Sequence, residues 1–231
     1  LKVIGRAGIG VDNIDLDAAG KKGIIVMNAP EGNIITTAEH TMALLLAMSR
    51  NIPQARSSLK NKKWAPKEFM GVELFEKTLG IIGLGRIGSI VSERARAFQM
   101  KIVVFDPYIS QERADKLGVE LVELKDLLGR ADFLTLHTPG LAGKPLLGKK
   151  EFGQMKPGIR IVNCARGSLI DDAALIEAVE SKIVAGASLD VYHKEPLDLD
   201  SPLLQVEEII CTPHLGASTG EAQEKVATAI C

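Results

Sequence analysis

The sequence predicts a doubly wound α/β fold built on a parallel sheet, and three observations predict it. Short apolar runs rich in Ile, Val and Leu alternate with segments of helical period along most of the chain. Strands alternating with helices give parallel sheets with right-handed crossovers. A glycine turn, Gly83-Leu84-Gly85-Arg86-Ile87-Gly88, stands between one such apolar run and one such helical segment. The 231 residues are 46% apolar, which is ample for a core buried on both faces of a sheet.

Taken in order, Lys2 to Arg6 reads as a short strand, Ala7 to Asn13 as a glycine-rich loop, Leu16 to Lys21 as a short helix and Ile24 to Asn28 as a strand. Pro30, Gly32 and Asn33 interrupt the pattern, and Thr36 or Thr37 is positioned to cap a long helix reaching Met48. Asn51 to Lys63 reads as a second helical piece and Trp64 to Glu76 as a linker. The lone Trp64 either covers an edge of the core or contacts a partner. A strand Thr78 to Ile82 leads into the glycine turn. Ile87, Ile90, Val91, Ala95 and Phe98 then recur at helical spacing, with Glu93, Arg94 and Arg96 between them. Lys101 to Phe105 is the next strand. Helices at Gln111 to Leu117 and Leu124 to Leu128 flank a strand at Val119 to Val122, and Asp132 to Leu136, Ile159 to Val162, Val184 to Leu189 and Ile209 to Cys211 complete the strands.

The glycine turn carries a specific physical expectation. Gly83 permits the bend, Gly85 lets the backbone approach a pyrophosphate, and Gly88 lets helix and strand pack closely. The phosphates then sit at the positive end of the helix. The second strand ends in Asp106, at the spacing of about 20 residues from which an acidic side chain accepts a hydrogen bond from a ribose 2′-hydroxyl and repels a 2′-phosphate. NAD is therefore expected rather than NADP. The competing reading of Asp106 is a turn residue ahead of Pro107.

Composition narrows the function classes. A net charge of -1 with no basic block excludes the electrostatic footprint of a nucleic-acid binder. The longest unbroken apolar run, Met42 to Met48, is far short of the roughly 18 residues that span a bilayer. No signal peptide is recognisable. Cys164, Cys211 and Cys231 are scattered without CxxC spacing, so neither a disulfide framework nor a metal site is indicated, and a reducing cytoplasm fits. The first residue already lies in a strand-like run and the last in a helix-like one, as expected of a piece of a longer chain.

Parallel sheets bind ligands at the carboxyl ends of their strands. Those ends are His137-Thr138-Pro139, Asn163-Cys164-Ala165-Arg166-Gly167-Ser168, Asp190, and Thr212-Pro213-His214. Arg166, Glu195 and His214 form a chemically coherent set for moving a hydride from an alcohol. Imidazole titrates nearest neutrality and serves as base for the hydroxyl proton. A carboxylate on its far nitrogen fixes the tautomer, and a guanidinium binds a substrate carboxylate with two parallel hydrogen bonds. Read on their own, Arg166 also fits a helix cap or a partner for Asp171, Glu195 a turn acid before Pro196, and His214 a loop histidine.

Five ordered motifs change that weighting: Gly5-Arg-Ala-Gly-Ile-Gly-Val-Asp-Asn13, Gly83-Leu-Gly-Arg-Ile-Gly88, Asn163-Cys-Ala-Arg-Gly167, Leu189-Asp-Val191 with Glu195-Pro196, and Pro213-His-Leu-Gly-Ala-Ser-Thr219. Together they resemble the D-isomer-specific 2-hydroxyacid dehydrogenases from one end of the chain to the other. The resemblance implies that Arg166, Glu195 and His214 are catalytic. It implies cofactor contacts at Arg86, Ile87, Asp106, Thr138, Cys164, Asp190 and Gly216, and a substrate-side contact at Asn33. It also implies a two-fold homodimer formed through the helix near Thr37 and the segment to Trp64. The expected reaction is hydride transfer between NAD and a 2-hydroxy acid, with 3-phospho-D-glycerate favoured. An NADH-sensing corepressor on the same fold is the alternative from another class, and a formate dehydrogenase would carry Gln at position 195.

The resemblance further divides the chain into residues 1–28, the end of a flavodoxin-like substrate domain; 29–215, the NAD-binding domain; and 216–231, a helix returning toward the substrate domain. Three departures stand out: Ile9 replaces a frequent cofactor-contacting threonine, Ser168 replaces a frequent glycine, and Gly140 to Pro145 lacks the usual threonine-bearing loop.

Overall fold

The computed structural model describes residues 1–11, 13–29, 31–140 and 144–230. Asp12, Pro30, Cys231 and part of the Gly140 to Pro145 loop, all named above, lie outside the described residues.

Two parallel sheets form. Strands β1 (Val3–Arg6) and β2 (Ile25–Asn28), joined through α1 (Leu16–Lys21), pair with each other alone, Val3 against Ile25 through Arg6 against Asn28. The main sheet has seven strands: β3 (Thr78–Ile82), β4 (Lys101–Phe105), β5 (Glu120–Leu121), β6 (Phe133–Leu136), β7 (Ile159–Asn163), β8 (Val184–Leu189) and β9 (Ile209–Cys211). Their spatial order is β5-β4-β3-β6-β7-β8-β9, with every pairing parallel. The chain runs outward from β3 in one direction and then returns to β6 to run outward in the other. The crevice between the carboxyl ends of β3 and β6 is therefore the topological switch point at which such sheets bind ligands.

Period-two alternation divides each strand between two cores. Leu79, Ile81, Ile102, Val104, Phe133 and Val162 face one apolar layer. Ile82, Val103, Leu134, Leu136, Ile159 and Ile161 face the other. The first layer is covered by α2 (Ile34–Ser49), through Ala38, Met42, Leu45 and Met48, and by α4 (Arg86–Ala97), through Val91 and Ala95. The second is covered by α6 (Leu124–Arg130), α7 (Lys149–Phe152) and α8 (Asp172–Glu180), through Leu127, Leu128, Phe152, Leu175 and Val179.

Several boundaries differ from expectation. Helix α2 begins three residues early, with Asn33 as N-cap and no side-chain capping bond. Thr37 lies inside the helix instead, because its hydroxyl is drawn to a distant partner, the Gly216 carbonyl at 3.1 Å. The second helical piece is shorter, α3 (Ile52–Lys60), and β5 keeps only two residues. Trp64 is 82% exposed, so it does not cover an edge of this core. Helix α8 was not anticipated from the sequence, although Asp171 caps it by accepting from the Ala174 N–H at 2.9 Å.

Candidate active site

The glycine turn lies where the switch point requires it. Gly83 has φ +91, a left-handed conformation that L side chains rarely adopt, and a Cβ there would lie 2.7 Å from the His137 carbonyl at the end of β6. A Cβ on Gly88 would lie 2.2 Å from the Gly83 carbonyl, so helix and strand meet only because Gly88 has no side chain. A Cβ on Gly85 would meet nothing within 4 Å, which leaves open surface over the first turn of α4. The first N–H groups of a helix have no partner within it and suit an anion.

Asp106 stands at the end of β4. Its Oδ2 accepts from the Leu84 N–H at 2.8 Å and its Oδ1 from the Tyr108 N–H at 2.9 Å. The carboxylate is thus anchored to the glycine turn while each oxygen keeps a further lone pair. Arg86 Nη1 lies 3.1 Å from Glu31 Oε1, in the segment leading into α2, and Ile87 is partly buried against the first core layer. Thr138 follows β6 beside the turn. These groups and the open surface over Gly85 fit the pyrophosphate and ribose of a dinucleotide.

The three residues expected to carry chemistry stand on consecutive strand ends. Arg166 follows β7, with its loop set by buried Asn163: Asn163 Nδ2 donates to the Arg166 carbonyl at 2.9 Å and Oδ1 accepts from the Ala165 N–H at 3.0 Å. Gly167 presses against Tyr192, where a Cβ would fall 2.0 Å from the carbonyl carbon. The arginine loop is thereby held against the segment that carries Glu195. The Glu195–Pro196 peptide is cis. Glu195 Oε1 accepts from the Tyr192 N–H at 3.0 Å, and Oε2 lies 2.6 Å from His214 Nδ1. His214, at φ 55, follows β9 in a tight turn closed by its N–H to the Thr212 carbonyl at 2.9 Å.

Asp190 is fully buried, and its carboxylate serves the same loop. Oδ1 accepts from the Thr212 hydroxyl at 2.6 Å and the Leu215 N–H at 2.8 Å, and Oδ2 accepts from the Gly216 N–H at 2.8 Å. His40 Nε2, from α2, lies 3.1 Å from Oδ1. Burial drives the Asp190 carboxyl upward, but these donors, His40 and Thr212 foremost, outweigh it and hold the group below the usual carboxylate range. Burial pushes the neighbouring Cys164 thiol up to about 12. The donor atoms of His40, Cys164 and Asp190 lie within 4.8 Å of one another. Both Asp190 oxygens are already engaged by the Thr212–Gly216 stretch. Asn33 Oδ1, at the start of α2, is buried without a hydrogen-bond partner.

Sequence reasoning did not single out His40, and it read Thr37 as a helix cap and His137 only as part of a strand end. A histidine and a threonine within an apolar helix look like ordinary helix residues, and only tertiary contact gives them partners. The side chain of His137 lies beside the glycine turn, its Cβ 3.5 Å from where a Cβ on Gly88 would stand, with Nε2 3.0 Å from the Thr135 hydroxyl.

A doubly wound sheet with a glycine turn at its switch point, an acidic residue at the end of β4 and an Arg, Glu and His set on neighbouring strand ends defines a dinucleotide-binding domain of the oxidoreductase kind. Residues 42–216 match the family described as "D-isomer specific 2-hydroxyacid dehydrogenase, NAD binding domain". The chain belongs to that family, and NAD is the cofactor of the domain. It is 54% identical, over all of its own length, to 44% of a D-3-phosphoglycerate dehydrogenase of Methanocaldococcus jannaschii. The chain thus spans less than half the length of the curated relatives it matches. Among solved structures, the apo form of an Escherichia coli D-lactate dehydrogenase is 33% identical with a TM-score of 0.90, covering 100% of this chain and 73% of that one. An NAD-dependent formate dehydrogenase from Staphylococcus aureus in complex with NAD is 31% identical with a TM-score of 0.92, covering 100% and 70%.

Proposed function

We propose that the protein oxidises 3-phospho-D-glycerate to 3-phosphohydroxypyruvate with NAD, the opening step of a route to L-serine. Relatives about half identical across the whole chain support the choice of substrate. The single observation that carries the chemistry is the 2.6 Å contact between His214 Nδ1 and Glu195 Oε2. A carboxylate on Nδ1 places the imidazole hydrogen there and leaves the Nε2 lone pair free to accept the hydroxyl proton. Glu195 then stabilises the imidazolium that forms. Arg166 binds the substrate carboxylate through two parallel hydrogen bonds and, in the reverse direction, polarises the ketone oxygen. Asn33 offers its buried oxygen on the substrate side of the crevice. NAD, when bound, supplies the acceptor for the hydride that leaves the carbinol carbon.

For the cofactor we assign Gly83, Gly85, Arg86, Ile87 and Gly88 to the pyrophosphate turn, Asp106 to the ribose, and Thr138, Cys164, Asp190 and Gly216 to the nicotinamide end. Ile52, Leu59, Trp64, Met70 and Phe75 are large, exposed and close in sequence, which supports a homodimer formed across α3 and the segment after it. Among the described residues no helix is long and apolar enough to cross a membrane. Cys164 and Cys211 are free thiols, which supports a cytoplasmic location.

The test is steady-state NAD reduction by the protein carrying this chain against a panel of 2-hydroxy acids. The phosphorylated substrate should give the highest kcat/KM. His214→Gln should lower the rate by about 10²–10⁴-fold. A near-normal rate in His214→Gln would exclude the proposed base.

A further inference from the structure

Asp190 has three donors from one short stretch, Thr212, Leu215 and Gly216, which brackets His214 on both sides. The fourth contact comes from elsewhere. His40 sits half-buried on α2, one turn after Thr37, and its Nε2 approaches Asp190 Oδ1 at 3.1 Å, an ion-pair contact outside hydrogen-bond geometry. Thr37 donates to the Gly216 carbonyl at 3.1 Å. Gly216 is consequently gripped at both ends of its backbone, its N–H by Asp190 and its C=O by α2. A side chain at position 216 would crowd this grip, since a Cβ would fall 3.3 Å from Asp190 Oδ2 and 3.6 Å from the Thr37 methyl.

We propose that His40 is a positioning residue for the base: by fixing Asp190 against α2 it holds the Thr212–Gly216 turn, and with it His214, at the register in which Nδ1 meets Glu195. The proposal rests on the reading of His214 as the base.

The physical argument starts from the turn itself. His214 has φ 55, a conformation that a non-glycine residue holds only when its surroundings over-determine it. Thr212 is tied down by its own N–H to the Leu189 carbonyl and by the Tyr192 hydroxyl on its carbonyl, whereas beyond the bond from the His214 N–H to the Thr212 carbonyl the Leu215–Gly216 half of the turn is held through Asp190 and Thr37. Asp190 ties that half to the end of β8, but a carboxylate whose other donors all belong to the turn can rotate with it. His40 is the contact that fixes the carboxylate to a second element. The imidazole is half of a clamp whose other half is Thr37. Cys164, the remaining polar neighbour, is kept a neutral thiol by burial, so it brings no competing charge to Asp190. Misplacement of a catalytic group by about 1 Å costs on the order of 10²-fold in rate, and loosening one of several anchors costs part of that.

The experiment uses the protein carrying this chain and two kinds of substitution. His40→Met and His40→Leu remove the nitrogen beside Asp190 in two apolar shapes, and His40→Gln restores an N–H there. The apolar variants should lower kcat with 3-phospho-D-glycerate about tenfold. The NAD dissociation constant should rise by less than the fall in kcat, since Asp190 and Gly216 also stand at the nicotinamide end, and His40→Gln should recover most of both. A second readout is independent of turnover. The Leu215 and Gly216 amide proton resonances, shifted by their bonds to a carboxylate, should move and broaden in the apolar variants and return in His40→Gln. Unchanged kcat and unchanged amide resonances in His40→Met overturn the proposal. So does a joint fall of kcat, NAD affinity and thermal midpoint that His40→Gln fails to reverse, because that pattern belongs to helix packing. If wild type turns over no 2-hydroxy acid, the proposed reaction fails, and the amide resonances still decide whether His40 fixes the turn. Should neither apolar variant fold, His40→Asn takes their place, its amide too short to reach Asp190: displaced Leu215 and Gly216 amides with a lower kcat support the proposal, and both unchanged from wild type overturn it.

Discussion

Single side chains around the crevice carry measurable consequences, and His137 carries the largest one for acid stability. Burial presses its imidazole from 6.5 to about 3, so the folded protein keeps it neutral where the unfolded chain would protonate it. Between those two values the unfolded state binds more protons, and stability therefore falls as pH drops, by up to about 1.4 kcal/mol per pH unit. Above 6.5 the group is neutral in both states and contributes no slope. Asp132 and Asp190 act in a different window. Burial raises both, but Lys156 and the Thr78 N–H at Asp132, and His40 and Thr212 at Asp190, leave each below 3.8, so their contribution is complete above that value and lost below it. Urea unfolding of His137→Gln from about pH 7 to 4 should therefore show a flatter dependence than wild type. An equal slope would place the acid sensitivity elsewhere. At Asp106, Asn keeps an acceptor for the Leu84 N–H or the Tyr108 N–H and removes the charge. Titration of Asp106→Asn should show the preference for NAD over NADP falling about tenfold, equivalent to about 1.4 kcal/mol. A wild type that binds both dinucleotides equally would refute the ribose assignment.

The strand, turn and helix spanning residues 78–97 form the element on which the crevice depends. Its three glycines act at different places: Gly83 in the bend, Gly85 in the open surface and Gly88 in the contact between α4 and the turn. Gly88→Ala would drive a methyl into the Gly83 carbonyl, a backbone atom that cannot swing aside. The expected cost is about 2 kcal/mol or more from overpacking, with NAD affinity lost in parallel because the turn must open to relieve the clash. Gly85→Ala, which meets nothing, should leave stability within about 0.5 kcal/mol of wild type while still weakening NAD binding. Equal stability of the two variants, measured by urea unfolding, would contradict the packing role of Gly88. Helix α2 shows the same logic from the other side. Its N-terminus lies at Asn33 rather than at a threonine, since Thr37 is spent on the Gly216 carbonyl.

At the scale of the whole molecule the sheet separates two apolar layers, and the crevice opens where the strand order reverses between β3 and β6. Ile52 and Leu59 on α3, and Trp64, Met70 and Phe75 after it, remain exposed outside both layers, Trp64 most of all. Trp64→Lys should weaken the proposed homodimer by about 30-fold or more, the equivalent of about 2 kcal/mol for a central aromatic contact. Sedimentation at micromolar concentration would read this as a shift to monomer. A monomeric wild type would remove the interface.

The sequence alone determined the doubly wound class, the glycine turn with Asp106 behind it, and the candidates Arg166, Glu195 and His214. Period-two apolar runs, glycine spacing and residue chemistry are local properties, readable without knowing what packs against what. It also placed the polar residues at strand ends, because a parallel sheet delivers every strand's carboxyl end to one edge. The tertiary structure alone decided that His214 meets Glu195 at 2.6 Å, and that Asp190 binds the turn around His214 rather than standing free. It alone recruited Thr37 and His40 from α2 to that turn. These contacts join residues 19 to 179 positions apart, and no local period or motif records which distant groups will meet. A buried carboxylate must find donors wherever the fold brings them within reach, so its partners are settled by packing.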